Sequence, residues 1–250
     1  MMSSALRYEW RRISSIRSTW ILVGCAVLIS AAFALLFSLA LSAASSQPNT
    51  DGIQGLKTSL GSSVGTATTN LIVLIVLGTL AAQAFGQEYR HGTIRLTLTE
   101  FPKRTNVFIA KIVVCCAVIL AGFLVSSIVA WAILQGNSAV INDGFATFGA
   151  QFLRTCLYLI GFCLIVFSLT VLTRILALGV IIPLVIAAVA EPLLASLVEN
   201  YISWFPNALP FTSGEQFVSG TDIFRNGIVF GLWVLALTVA GYIVFERRDA

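Results

Sequence analysis

The sequence predicts an all-α, polytopic membrane protein with six transmembrane helices, and two observations carry that prediction. Hydrophobic residues make up 58 % of the 250-residue chain, charged residues only 10 %, and the mean hydropathy is +0.93. A soluble domain carries about 25 % charged residues to coat its surface, so water is not the main solvent here. The apolar residues are also gathered into six long runs, each near the ~20 residues a helix needs to cross roughly 30 Å of hydrocarbon.

Those runs lie at approximately Thr19–Ala44, Thr68–Gln87, Asn106–Leu134, Gln151–Thr173, Ile175–Val198 and Asn226–Phe245. As open strands they would leave backbone groups unpaired in lipid, and they lack the alternation of a barrel. Only Arg174 separates the fourth span from the fifth. The chain divides into an N-terminal amphipathic element, 1–18, and a six-helix domain, 19–250.

In the N-terminal element Leu6, Trp10, Ile13 and Ile16 recur at helical spacing, with Arg7, Arg11 and Arg12 elsewhere on the wheel. Such a helix lies in the membrane interface, its aromatic face at the lipid boundary and its arginines at the headgroups. It serves as an anchor, as an elbow bracing the bundle, or as both. Ser18 and Thr19 offer caps before the first span, whose apolar core is much longer than the ~7–15 residues of a signal peptide.

The loop Ser45–Ala67 is rich in Ser, Gly and Thr, and its Gly61 and Gly65 form a small-xxx-small pair that would let the second helix approach a neighbour. Asn142-Asp143-Gly144 makes the turn between the third and fourth spans. The segment Glu199–Arg225 interleaves six aromatic residues with Pro206, Pro210 and Gly214. It reads either as short helices re-entering the outer leaflet before the sixth helix or as a plain interfacial aromatic belt. Gly227 and Gly231 form a second close-approach pair. Cys25, Cys115, Cys116, Cys156 and Cys163 all fall inside spans without metal or redox spacing, and act as small apolar fillers.

Lys and Arg set the orientation. Twelve of them, including Arg7, Arg11, Arg12, Arg17, Arg90, Arg95, Lys103, Arg104, Lys111 and Arg174, fall on the side holding both termini; Lys57, Arg154 and Arg225 fall on the other. The positive-inside rule then makes both termini cytoplasmic in a multi-pass cell-membrane protein. The net charge of +4 reflects topology and attraction to anionic membrane lipid, not nucleic-acid binding.

Between the second and third spans stands Glu88-Tyr89-Arg90-His91-Gly92-Thr93-Ile94-Arg95. Gly92 permits a sharp change of direction and Thr93 can cap a short helix through Leu98. Pro102 breaks that element before Lys103 and Arg104, and Lys111 lies at the base of the third span. A basic inner loop obeying charge asymmetry would look much the same. This stretch, with Glu9-Trp10-Arg11-Arg12 and Arg17-Ser18-Thr19-Trp20 upstream and Phe245-Glu246-Arg247-Arg248-Asp249 at the end, resembles permeases of the type-2 export class of ATP-binding cassette transporters, in particular actinobacterial members. The most specific part is the Glu-x-x-x-Gly-Thr core of Glu88, Gly92 and Thr93.

The resemblance implies a half-transporter that pairs with a second copy or a sister permease and is driven by separate ATPase subunits. It also implies a cytoplasmic coupling helix over Thr93–Glu100, with Glu88 and Arg90 fixing the turn. Ile94 and Pro102 would shape the element, and Arg95, Lys103 and Arg104 would contact the ATPase or lipid. Trp10, Arg11, Arg12 and Arg17 would form the interfacial elbow. ATP and magnesium would sit on the partner. The sequence itself has no Gly-x-x-x-x-Gly-Lys-Ser/Thr phosphate loop, so it is read as a non-enzyme.

Two further charges lie in or near apolar runs. Glu191, beside Pro192, and Arg154 are candidates for pathway or gating roles, because an intramembrane ionisable group is expensive. If the fifth helix ends early, Glu191 merely faces water, and Arg154 can snorkel outward. The two could also pair. His91, the only histidine, is read as an interfacial contact. The interior offers few fixed polar sites, which suits a hydrophobic or amphipathic cargo: a drug, lipid or peptide. Readings from other classes are a secondary carrier, for which only Glu191 is a candidate coupling group, and a non-transporting scaffold or sensor.

Overall fold

The computed structural model describes residues 2–45, 58–93, 99, 104–142, 144–198 and 204–247. Six of its helices are long and apolar enough to cross a membrane. Helix α1 (Met2–Ser15) precedes the first of them, α2 (Arg17–Ser45), with a break at Ile16. After the first loop come strand β1 (Thr58–Ser59) and the short helix α3 (Leu60–Thr68). The spans α4 (Leu71–His91) and α5 (Arg104–Leu134) follow, then strand β2 (Val140–Ile141) and span α6 (Phe145–Thr173).

Span boundaries follow local chemistry. The second span begins later than the hydropathy suggests, at Leu71 rather than Thr68, because Asn70 stops one helix and starts another. Its side-chain oxygen accepts from the N–H groups of Ile72 and Val73, both at 3.1 Å. Gly61 and Gly65 therefore sit on α3 and not on the second span. They face α6, where a Cβ on Gly61 would come within 3.2 Å of Gln151 and one on Gly65 within 3.6 Å of Thr155. The two-residue strands pair in parallel and tie the loop before α3 to the one after α5.

Between α6 and α7 (Leu176–Val185) the chain reverses at Arg174, which adopts a left-handed conformation (φ 59°). Its N–H caps the helix by donating to Thr170 O at 2.8 Å. The fifth span runs unbroken from Leu176 to Val198. Pro192 lacks an N–H and its ring crowds the carbonyl four residues back. The helix accommodates it with a π turn over Ile186–Ala190, in which the Glu191 N–H reaches Ile186 O, before α8 (Glu191–Val198) resumes.

The segment read as re-entrant contains a 3₁₀ turn (Pro206–Ala208) and helix α9 (Pro210–Ser219), and then span α10 (Ile223–Arg247). Of the second glycine pair only Gly227 is crowded, against Phe217; Gly231 faces open space.

Helices α4 and α6 form the centre. Most of the apolar window is buried in each, 61 % and 72 %, against 17 % for α2 and for α10. The core at one end of the bundle is aromatic. Phe85 of α4 meets Phe167 of α6 and Phe245 of α10 with ring centroids 5.1 Å apart, and Phe108 of α5 completes the group. Such edge-on contacts are worth roughly 0.5–1.5 kcal/mol each beyond burial. All five cysteines are free thiols, with Cys115, Cys156 and Cys163 buried in the core.

The α6–α7 hairpin closes tightly on Gly179, where a Cβ would lie 2.8 Å from Thr170 Cβ and 2.9 Å from its Cα. Gly179→Val should cost about 1–3 kcal/mol through overpacking. The readout is a lowered Tm of the purified chain in detergent; an unchanged Tm would contradict this packing.

Candidate functional site at the elbow end

The apolar stripe of α1 is interrupted by one charge. Ala5, Glu9 and Ile13, spaced four apart, form its buried face, while Trp10 is 50 % exposed and Arg7 and Arg11 point outward. Trp10 therefore lies off the packed face of α1. Arg12 also departs from the expected headgroup position. It turns inward, leaving 18 % of its side chain exposed, because two carboxylates await it.

Those carboxylates belong to Glu9 and Glu88, and Lys111 of α5 lies between them. Lys111 is 0 % exposed, Glu9 1 % and Glu88 4 %. Lys111 Nζ donates to Glu9 Oε1 at 2.7 Å and to Glu88 Oε1 at 2.6 Å. Arg12 pairs with Glu9 through Nε, 3.2 Å from Oε2, and its guanidinium also bonds Glu88 Oε1 and donates to Ala84 O at 2.7 Å. The Lys111 ammonium lies 5.1 Å from the Phe85 ring centroid, adding a cation–π contact. With all four groups ionised, two positive charges balance two negative ones.

This cluster joins three elements: α1, the end of α4 and the start of α5. A buried carboxylate or ammonium loses several kcal/mol of hydration, recovered only through close opposite charges and well-placed hydrogen bonds. Removing one member leaves its partners buried and unmatched. The elbow is thus held to the second and third spans by a contact that tolerates little separation.

Immediately beyond the cluster, α4 ends in a Schellman motif. Gly92 takes a left-handed conformation (φ 66°), its N–H donating to Tyr89 O at 3.4 Å while that of Thr93 donates to Glu88 O at 3.1 Å. The buried Glu88 side chain therefore sits on the residue whose carbonyl closes the turn. Arg90, His91, Gly92 and Thr93 are exposed, and His91 Nδ1 bonds Gln87 O at 2.8 Å. Tyr89 stacks on Phe85 and receives the Arg174 guanidinium 5.7 Å from its ring centre.

The residues 94–98 and 100–103, with Ile94, Arg95, Pro102 and Lys103, lie outside the described residues, so the expected coupling helix does too. Arg104 does not stand clear of the bundle. Its guanidinium donates to Phe245 O at 3.3 Å and Glu246 O at 3.0 Å, where a cation complements the negative end of α10. At the elbow, Arg17 is exposed, Ser18 Oγ reaches Gln83 Oε1 of α4 at 3.1 Å, and Trp20 Nε1 donates to Ser14 O at 2.8 Å.

The other two candidate charges lie toward the opposite end and do not pair. Glu191 is buried and accepts from Phe211 N at 3.0 Å, Thr212 N at 2.6 Å and Thr212 Oγ1 at 2.8 Å. It caps α9 from a neighbouring helix, meeting donors that no residue of α9 could satisfy. It faces protein, not water. Arg154 donates to Gln151 Oε1 at 2.8 Å and Ala150 O at 3.3 Å.

A model of the ABC-2 family transporter protein matches residues 5–190. The chain belongs to that family. Three-quarters of its length is covered, including all four members of the buried cluster, whereas α9 and α10 lie beyond the match. No curated protein matches. The six apolar helices are accordingly those of a transmembrane permease of an ATP-binding cassette transporter. Membership implies an ATPase partner in the assembled transporter; a permease of this family is generally not itself catalytic.

Lys111→Met in this permease should destabilise it by about 3–5 kcal/mol, the cost of leaving a buried ion group broken. The double variant Glu9→Gln/Lys111→Met removes one charge of each sign and should lose less than the two single variants summed. Denaturation in detergent measures the cycle, and strict additivity would mean that the two residues do not interact. Separately, Glu191→Ala should speed amide exchange at Phe211 and Thr212 while leaving α1 protected; equal protection in both proteins would show that the cap contributes nothing.

Proposed function

We propose that this permease forms half of the pathway of an exporter and is driven by ATPase subunits docking at the elbow end, on the cytoplasmic side. The supporting observation is the buried Glu9–Arg12–Glu88–Lys111 cluster beside the Gly92 turn. A push on the segment after Gly92 would reach α4 through its capped end. From there it would pass to α1 and α5, because parting any of the three exposes a buried charge to an apolar surround. The elbow and the bases of the second and third spans then move as one body.

In this reading Arg90, Gly92, Thr93, Ile94 and Arg95 form the receiving surface, with Pro102 and Lys103 bounding it. Glu88 is a positioning residue, and Arg104 locks the base of α5 to the end of α10. Trp10, Arg11 and Arg17 hold the elbow at the lipid surface, while Arg12 ties it inward. ATP and magnesium are bound by the partner. A second copy, or a sister permease, completes an alternating-access pathway for hydrophobic or amphipathic cargo.

The test uses the permease co-purified with its ATPase subunits in proteoliposomes. Gly92→Val, which forces a branched side chain into a left-handed turn, and the neutral-swap double variant Glu9→Gln/Lys111→Met should each cut permease-dependent ATP hydrolysis by about tenfold, within the usual range of coupling energies. The isolated ATPase rate provides the baseline. Full coupling in both variants, or an ATPase seated at the opposite end, would overturn the proposal.

A further inference from the structure

The end of the bundle away from the elbow holds a cavity of about 480 Å³ between α3, the start of α4, α6 and α9. Its surface is mostly apolar, with several polar side chains set into it. The hydroxyls of Ser62, Thr66 and Thr69 donate back to helix carbonyls (Ser59 O, Ser62 O and Gly65 O) at 2.8–3.0 Å, and Ser219 Oγ donates to Gln216 O at 2.9 Å. The amide nitrogens of Asn70 and Gln151 donate to Ala67 O and Val218 O, each at 2.8 Å. The hydroxyls have thus used their donors within the protein and their oxygens keep lone pairs for something else, while each amide retains a second N–H.

Two lining residues have no polar partner among the described residues. Tyr158 is 3 % exposed, yet its hydroxyl makes no hydrogen bond there. Buried tyrosine hydroxyls are ordinarily bonded. Glu215, open to the cavity, forms no ion pair among the described residues. Surrounding protein, and secondly the charge of Glu191, hold its carboxyl above the usual carboxylate range. The nearby cation, Arg154, is bonded to Gln151 and Ala150 instead.

We propose that this cavity binds the protonated amine headgroup of an amphipathic ligand, with Glu215 as counter-ion and Tyr158 and the hydroxyl oxygens as acceptors. An ammonium offers only donors and one positive charge, the complement of the Glu215 carboxylate and the free hydroxyl lone pairs. A phosphate or carboxylate would meet lone pairs and a second negative charge. The size suits a headgroup with part of its chain, and Phe33 and Val218 supply apolar walls. The ligand's role as cargo rests on the export reading; its binding does not.

The full chain in nanodiscs of zwitterionic lipid is titrated with a dansyl-tagged long-chain primary amine and with the same molecule ending in a hydroxyl. The amine should bind about tenfold more tightly, as expected for a hydrogen-bonded charge. Glu215→Gln should abolish that preference without weakening the alcohol, and Tyr158→Phe should reduce amine binding severalfold. Equal affinity for amine and alcohol, or a preference that survives Glu215→Gln, would overturn the proposal. No ATPase is needed, so full coupling retained in the elbow variants, with amine binding intact, would refute the export reading alone. Binding lost at the cavity with coupling intact would refute only this one.

Discussion

Two buried carboxylates, a buried lysine and a partly buried arginine where three helices meet set the constraint that the rest of this permease obeys. Lys111 has no exposed surface, and both of its ion-pair partners come from other helices, α1 and α4. In an apolar surround a lone ammonium is far costlier than a matched one, so α1 must lie against the bases of α4 and α5 at one register. Shifting the elbow helix by one residue would rotate Glu9 out of reach of Lys111 and leave the charge stranded. The aromatic group of Phe85, Phe108, Phe167 and Phe245 then extends the join to α6 and α10.

The two ends of the bundle solve different problems. At the elbow end charge is neutralised internally and packing is dense, the composition of a part that transmits displacement without deforming. At the other end a carboxylate on Glu191 organises α9, and next to it a cavity is lined by the Glu215 carboxylate and several hydroxyls. The π turn ahead of Pro192 places Glu191 at the start of a helical turn facing Phe211 and Thr212. A straight α-helix would present that carboxylate at a different angle, since a π turn adds a residue without advancing the helical register.

Much of this organisation could be read from the amino-acid order. Span number, the reversal at Arg174 and the break after Gly92 follow from hydropathy and turn chemistry, which are local properties. Lys111 also carried a warning: an ionisable residue inside a long apolar run demands a partner. Glu9 carried the complementary one, since it sits on the same stripe as Ala5 and Ile13. Neither could be assigned to the other from spacing, because they are 102 residues apart. Arg12 went astray for a related reason: its charge assigns it to the headgroups, and only the facing carboxylates of Glu9 and Glu88 draw it inward.

The sequence alone determined a six-span helical membrane protein with an amphipathic leader and a charged turn after the second span. Backbone satisfaction in lipid permits little else for runs of that length. Tertiary structure decided which charges are hidden and which are offered. It buried Glu9, Glu88, Lys111 and Glu191, drew Arg104 onto α10, kept Arg154 from Glu191 and left Glu215 without an ion pair among the described residues. The reason is electrostatic. The cost of a charge depends on what lies within a few ångströms of it, and the chain brings those neighbours together only when it folds.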